Sequence, residues 1–334
     1  MARRQVKDPS KFKKSASGGK RKVAVRGRST KKWVVPLVVA ILLVLTIQIL
    51  FVRQMPSAAD FKVNPVFAFN ASQKGSGPVG AWDVAAVGND RVAVADQPSG
   101  RIVLFDRGGN LIKAWGKKGE KGDTFKEPSG IIADATGNIW VVDAWRSSIR
   151  GFTQEGKEIA TIPLKDRFYG PRGVAAASAN VFYVADTGSH RVVRVSSSGS
   201  VDASWGESRG PGRDSVDNPR SLCVDAKGIV YVADYENKRI QVLDPNKKTF
   251  VRQIKCDCKP ADVAIDAKGR LYVPCVEDGF VKVFNSSNGR GLGSMVDPAG
   301  SPAPFTGKSG IDVAPDGTVI LGGGDNISGW KPAS

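Results

Sequence analysis

Hydrophobic residues are arranged in two different ways along the chain. Residues 33–52, WVVPLVVAILLVLTIQILFV, form one apolar run of 20 positions without a charge. At 1.5 Å per residue, a helix of that length spans about 30 Å, the thickness of one hydrocarbon core. Pro36 falls in its first turn, where a missing N–H costs least. From residue 81 the apolar positions instead come in short runs separated by Gly, Asn and Asp. Six segments of 16 residues align without a gap: AWDVAAVGNDRVAVAD (81–96), PSGIIADATGNIWVVD (128–143), PRGVAAASANVFYVAD (171–186), PRSLCVDAKGIVYVAD (219–234), PADVAIDAKGRLYVPC (260–275) and KSGIDVAPDGTVILGG (308–323). Their starts are 47, 43, 48, 41 and 48 residues apart. Each reads as strand, tight turn, strand. A third strand follows in most units (101–106, 191–196, 239–244, 281–285), and a fourth at 111–116 and 201–206. Four short strands per roughly 45 residues mark a propeller blade.

The two ends of the chain complement each other. The sixth unit offers two strands and a third at 327–331, then stops. VFAFN (66–70) has no unit of its own, yet it matches IKAWG and DASWG, with Phe69 standing where Trp115 and Trp205 stand. These three rings fall 12, 13 and 14 residues before the next unit. Residues 66–70 are therefore expected to supply the missing strand of the last blade, which removes two exposed edges. The expected fold is all-β, a six-bladed propeller over 61–334 closed by an N-terminal strand. It is preceded by a basic disordered tail (1–32), a transmembrane signal-anchor helix (33–52) and a linker (53–60).

Charge orients this plan. The net charge is +17, but residues 1–32 hold 13 Lys and Arg against Asp8 alone, and the rest of the chain carries only +5. Positive residues crowd the N-terminal flank of the apolar run, which predicts a cytoplasmic N-terminus and a propeller outside the cytoplasm. The run exceeds the roughly 7–15 apolar residues of a cleaved signal peptide, so an uncleaved single-pass anchor is expected, although Ser57-Ala58-Ala59 resembles a cleavage site. Anionic lipid headgroups suit the tail. Nucleic acid does not, because Phe12 is the one ring before Trp33.

The blade turns carry a further signature. ADTGSHRVVRV (185–195), YVADYENKRIQVLD (231–244), with Lys238 in the slot of His190, and the glycine-rich linker WGKKGEKGDTFKEPSG (115–130) resemble the NHL-repeat family of six-bladed propellers. The resemblance is specific for architecture. Cys275 and Gly323 depart from it, replacing the Asp found at Asp96, Asp143, Asp186 and Asp234. Those four aspartates, three of them followed five residues later by Arg101, Arg191 or Arg239, read as turn and ion-pair residues rather than as chemistry.

Within such a fold, the start of each first strand and the loop after each second strand share one face near the channel mouth. Those slots hold Trp82, Asp83, Gln97, Trp145, Arg146, Arg172, Arg220, Tyr235, Glu236 and Asp262. Trp, Tyr and Arg are frequent recognition anchors, so this face is the expected ligand site, for an unidentified protein, glycan or envelope polymer. No catalytic residue stands out and no metal site is expected. The single histidine, His190, rules out a His-rich zinc site. Related propellers include metal-dependent lyases and lactone hydrolases, so that resemblance leaves an enzyme as the alternative, with Asp83, Asp262 and Asp312 as carboxylates for Ca²⁺. Cys275 is placed to bridge either Cys256 or Cys258.

Overall fold

The computed structural model describes residues 60–77, 79–164, 168–178, 180–206, 208–303 and 309–333. The expected tail and anchor helix, and the linker up to residue 59, lie outside them. Among the described residues no helix is long and apolar enough to cross a membrane. Asp60, assigned to the linker from the sequence, opens a strand that runs to Asn70.

Six antiparallel blades follow the sequence units. Blade 1 is built from Ala81–Val87, Arg91–Asp96, Arg101–Asp106 and Leu111–Trp115, paired in chain order. Blades 2, 3 and 4 repeat the plan from Pro128–Ala133 to Glu158–Pro163, from Pro171–Ser178 to Val201–Trp205, and from Pro219–Val224 to Thr249–Lys255. In blade 5 the first strand shortens to Ala264–Ile265. The first strands pack neighbour against neighbour around the ring, and that of blade 6 (Ser309–Val313) meets that of blade 1. Second strands such as Ile139–Asp143 and Val230–Asp234 are buried throughout, while fourth strands such as Leu111–Trp115 keep exposed residues on the perimeter. Apolar side chains from facing sheets fill the spaces between blades, as where Val84 and Val94 of blade 1 meet Ile320 and Ile327 of blade 6.

The N-terminal strand closes the ring. Val63 to Asn70 run antiparallel to Asn326–Pro332, with Phe69 opposite Ile327. Its first three residues, Asp60 to Lys62, pair parallel with Ser294 to Val296 of blade 5, so a single strand ties two blades together. The shared aromatic slot has a packing reason. Phe69 meets the Phe105 ring at 5.3 Å and lies over the turn of blade 1, where a Cβ at Gly109 would come within 2.6 Å of it. Trp115 covers Gly156 of blade 2 in the same way, at 2.9 Å. A ring at the end of one blade's outer strand thus rests on the turn glycine of the next.

The repeated aspartates clasp the loops between blades. Each is fully buried. Asp96 accepts the Gly80 amide at 3.0 Å, Asp186 the Tyr169 amide at 2.8 Å and Asp234 the Asp217 amide at 2.7 Å. In those blades the second oxygen takes Arg101, Arg191 or Arg239 at 2.7, 2.8 and 2.6 Å. Asp143 accepts the amides of Lys126 and Glu127 instead. The fourth residue after each clasp is left-handed: Gly100, Ser147, His190 and Lys238. His190 is therefore a turn residue whose Nδ1 accepts the Asn218 amide at 3.1 Å.

Blade 5 makes the same connection covalently. Cys275, in the aspartate slot, is bonded to Cys258, two residues ahead of Pro260, as Asp217 and Tyr169 stand two ahead of Pro219 and Pro171. Cys256, the other partner left open by the sequence, is a buried free thiol, and burial pushes it up to about 12. The reason is register: Cys256 donates its amide to the Lys238 carbonyl and continues the outer strand of blade 4, two residues short of the clasp slot.

Candidate functional site

The third residue of each unit forms a ring at the channel: Asp83, Gly130, Gly173, Ser221, Asp262 and Gly310. Three are glycines because neighbouring strands converge there. A Cβ at Gly130 would meet the Arg172 carbonyl at 2.3 Å, and one at Gly310 would lie 2.1 Å from the Asp83 carboxylate. The second residues of the units stand one step nearer solvent and contribute Trp82, Ser129, Arg172, Arg220 and Ala261. Together these residues line a cavity of about 220 Å³ that opens on the face of the clasp loops. On its far side a second cavity shares Asp83, Ser221 and Asp262 and adds Cys223 and Asp312. The third-position ring is thus the constriction of the channel.

The carboxylates of the channel serve the backbone. Asp83 accepts the amides of Val84 and, in the next blade, Ile131. Asp262 does the same with Val263 and Ile311, and Asp312 with Val313 and Ala86. Each therefore links its own blade to the following one. Asp83 and Asp262 also face each other. Burial, then the charge of Asp262, pushes Asp83 well above the usual carboxylate range. Burial raises Asp262 too, but hydrogen bonds from Ser221, two amides and Asp83 hold it down. Burial lifts Asp312 to about 6 and holds the Cys223 thiol well above its ordinary value.

At the mouth, cations lie on rings. The Arg172 guanidinium stands 5.2 Å from the centre of Trp82, and Arg220 stands 3.4 Å from that of Tyr235. Tyr235 also receives Lys259, which pairs with Glu236 at 2.7 Å. The sequence candidates thus divide. Trp82, Asp83, Arg172, Arg220 and Asp262 line the cavity, and Tyr235 and Glu236 back its wall. Gln97 turns to Glu127, and Arg146 to the Gly122 carbonyl and the Thr124 hydroxyl, both outside the cavity. Trp145 sits on a rim turn, 68% exposed, under Lys126. Tyr169, absent from the sequence candidates, is 75% exposed in the loop held by Asp186, on the same face. Its signal was its place beside a clasp, two residues before a blade.

The NHL repeat model matches residues 168–195 and 217–243, the two turns with the His190 and Lys238 signature. The chain is a β-propeller that carries NHL repeats. Among curated proteins, this NHL propeller is 29% identical over 292 residues to peptidylglycine alpha-amidating monooxygenase of Rattus norvegicus, covering 79% of the chain and 27% of the relative. It is 28% identical over 263 residues to peptidyl-glycine alpha-amidating monooxygenase A of Xenopus laevis, covering 70% and 27%. It spans about a quarter of the length of these relatives. Among solved structures it superposes on a streptogramin B lyase with a TM-score of 0.58 and 12% identity, over 77% of this chain and 94% of that one. A virginiamycin B lyase from Staphylococcus aureus gives 0.57 and 11%, over 80% and 98%. These structural likenesses concern the fold alone.

Proposed function

We propose that the protein is a binding scaffold, tethered to a membrane through residues 33–52, with its propeller outside the cytoplasm. The channel-mouth face recognises a protein, glycan or envelope polymer, and the basic tail lies against anionic lipid headgroups. One observation carries this reading: Trp82, Arg172, Arg220, Trp145 and Tyr169 present rings and cations on the same face. Large rings and guanidinium groups gain most when a partner desolvates them. The test places a photoreactive side chain at position 145 and, on the opposite face, at position 268 of the full-length chain in its native membrane. Adducts formed from 145 and not from 268 support the reading, and the reverse overturns it.

Similarity to an alpha-amidating monooxygenase over 79% of the chain favours a second reading, an enzyme acting at the same mouth; the form expected from the sequence is a metal-dependent lyase or lactone hydrolase. The donor set fits it poorly. The one histidine is held in a turn by the Asn218 amide, so a His-rich zinc site has no ligands. Ca²⁺ at Asp83 and Asp262 would have to compete with the amides that both carboxylates hold.

A further inference from the structure

Arg172 and Arg220 stand at the second position of neighbouring first strands, close enough that each feels the other's charge. Burial, and beyond it the Arg172 charge, pulls Arg220 below its ordinary range, against Tyr235, which raises it. Elsewhere in the propeller buried guanidiniums meet carboxylates, as Arg239 meets Asp234 and Arg191 meets Asp186. At the mouth they do not: among the described residues neither Arg172 nor Arg220 has an ion-pair partner, and each is set on an aromatic ring instead. Ring stacking occupies the face of a guanidinium and leaves the N–H donors on its edge for an acceptor. Below them lie Asp83 and Asp262, whose carboxyls burial pushes upward. Arg172, Arg220, Asp83 and Asp262 all line the cavity. Its volume of about 220 Å³ admits a small head group and excludes a folded segment.

We propose that this cavity is a monocarboxylate subsite. One carboxylate head group lies between the edges of Arg172 and Arg220. Paired guanidiniums recognise a carboxylate through parallel charge-assisted hydrogen bonds. A phosphate dianion would set a second negative charge above Asp83 and Asp262 in a partly buried place, which is costly. The assignment rests on the reading of this face as the binding face.

The probes are propionate, its neutral isostere propionamide, and inorganic phosphate, titrated into the full-length protein and followed by ligand-observed NMR. Propionate is expected to saturate, propionamide to show no saturation, and phosphate to bind at least tenfold more weakly than propionate. Arg172→Gln and Arg220→Gln should each weaken propionate at least tenfold with unchanged melting, and Arg172→Lys should weaken it less. Asp83→Asn combined with Asp262→Asn removes the negative charge beneath the site and should turn the preference towards phosphate. Should that variant fail to fold, the two arginine variants still decide the matter. Equal binding of propionate and propionamide, tighter phosphate in the native protein, or wild-type propionate binding by a folded Arg220→Gln variant overturns the subsite. Crosslinking from position 145 reads the wider face separately: adducts there with no propionate binding would reject the subsite alone.

Discussion

Cys258 and Cys275 are joined across the gap that a hydrogen bond spans in blade 4, where Asp234 accepts the Asp217 amide. One blade thus replaces a polar clasp with a covalent one. The bond closes a loop with a sequence separation of 17, for which chain entropy predicts about 3 kcal/mol. Reduction should lower the thermal midpoint of the wild type and leave Cys258→Ala/Cys275→Ala unaffected. Cys258→Ala/Cys275→Asp should melt above the double alanine variant, because the carboxylate regains the amide. Equal melting of the two variants would show that the slot does not accept the polar clasp.

The clasps predict which substitutions damage folding. Asp234→Ala leaves Arg239, only 5% exposed, without its carboxylate. Removing one partner of a buried pair costs about 3–5 kcal/mol. Chemical denaturation should show a loss of that size, in contrast to Trp145→Ala on the exposed rim, which should lie within about 0.5 kcal/mol of wild type.

The channel carboxylates give stability a pH dependence of known sign. Asp312 titrates near 6 in the folded state, above its ordinary value of 3.8. The folded protein therefore binds a proton more tightly than the unfolded chain does. This group costs nothing below about pH 4 and destabilises progressively as pH rises to about 6. Asp312→Asn should flatten that part of the stability profile, measured by denaturant midpoints. A slope unchanged in the variant would assign the effect to Asp83, Asp186 or Asp234, all raised in the same direction.

Ring closure depends on Phe69. Its ring is buried between Phe105 and the Gly109 turn, so Phe69→Ala should cost about 3–5 kcal/mol. Deleting residues 60–70 should expose the edges of blades 5 and 6 and promote aggregation. Light scattering during a thermal ramp measures both effects. A deletion that melts and scatters like wild type would mean that the ring stays closed without this strand.

Blade number and strand order were legible because hairpin periodicity is local. Phe69 could be assigned to the last blade because its spacing to the next unit, 12 residues, is close to the 13 and 14 of Trp115 and Trp205. The channel was harder. The aligned units already placed Asp83, Gly130, Gly173, Ser221, Asp262 and Gly310 in one column, but a column shows no distances. That Asp83 faces Asp262 is a property of the closed ring. Tyr169 escaped because linkers between blades vary in length and have no alignment of their own. Cys258 was readable in hindsight, standing two residues before a blade as Asp217 does. Without the role of the aspartate slot, Cys256 looked equally eligible.

The strand that closes the ring is made first and used last. Asn70 meets Asp325 across 255 residues of chain. At 5–20 residues per second, synthesis of that stretch takes roughly 13–50 s. Until residue 296 is made Asp60–Asn70 has no edge to join, the partner of Val63–Asn70 comes later still, and blade 1 meanwhile has no neighbour on one side. Folding of the propeller is therefore completed only after synthesis of its last blade, and the nascent chain carries an unpaired apolar strand until then. Anything that shields VFAFN during this wait, a chaperone or a nearby surface, governs how much of the protein reaches the closed ring.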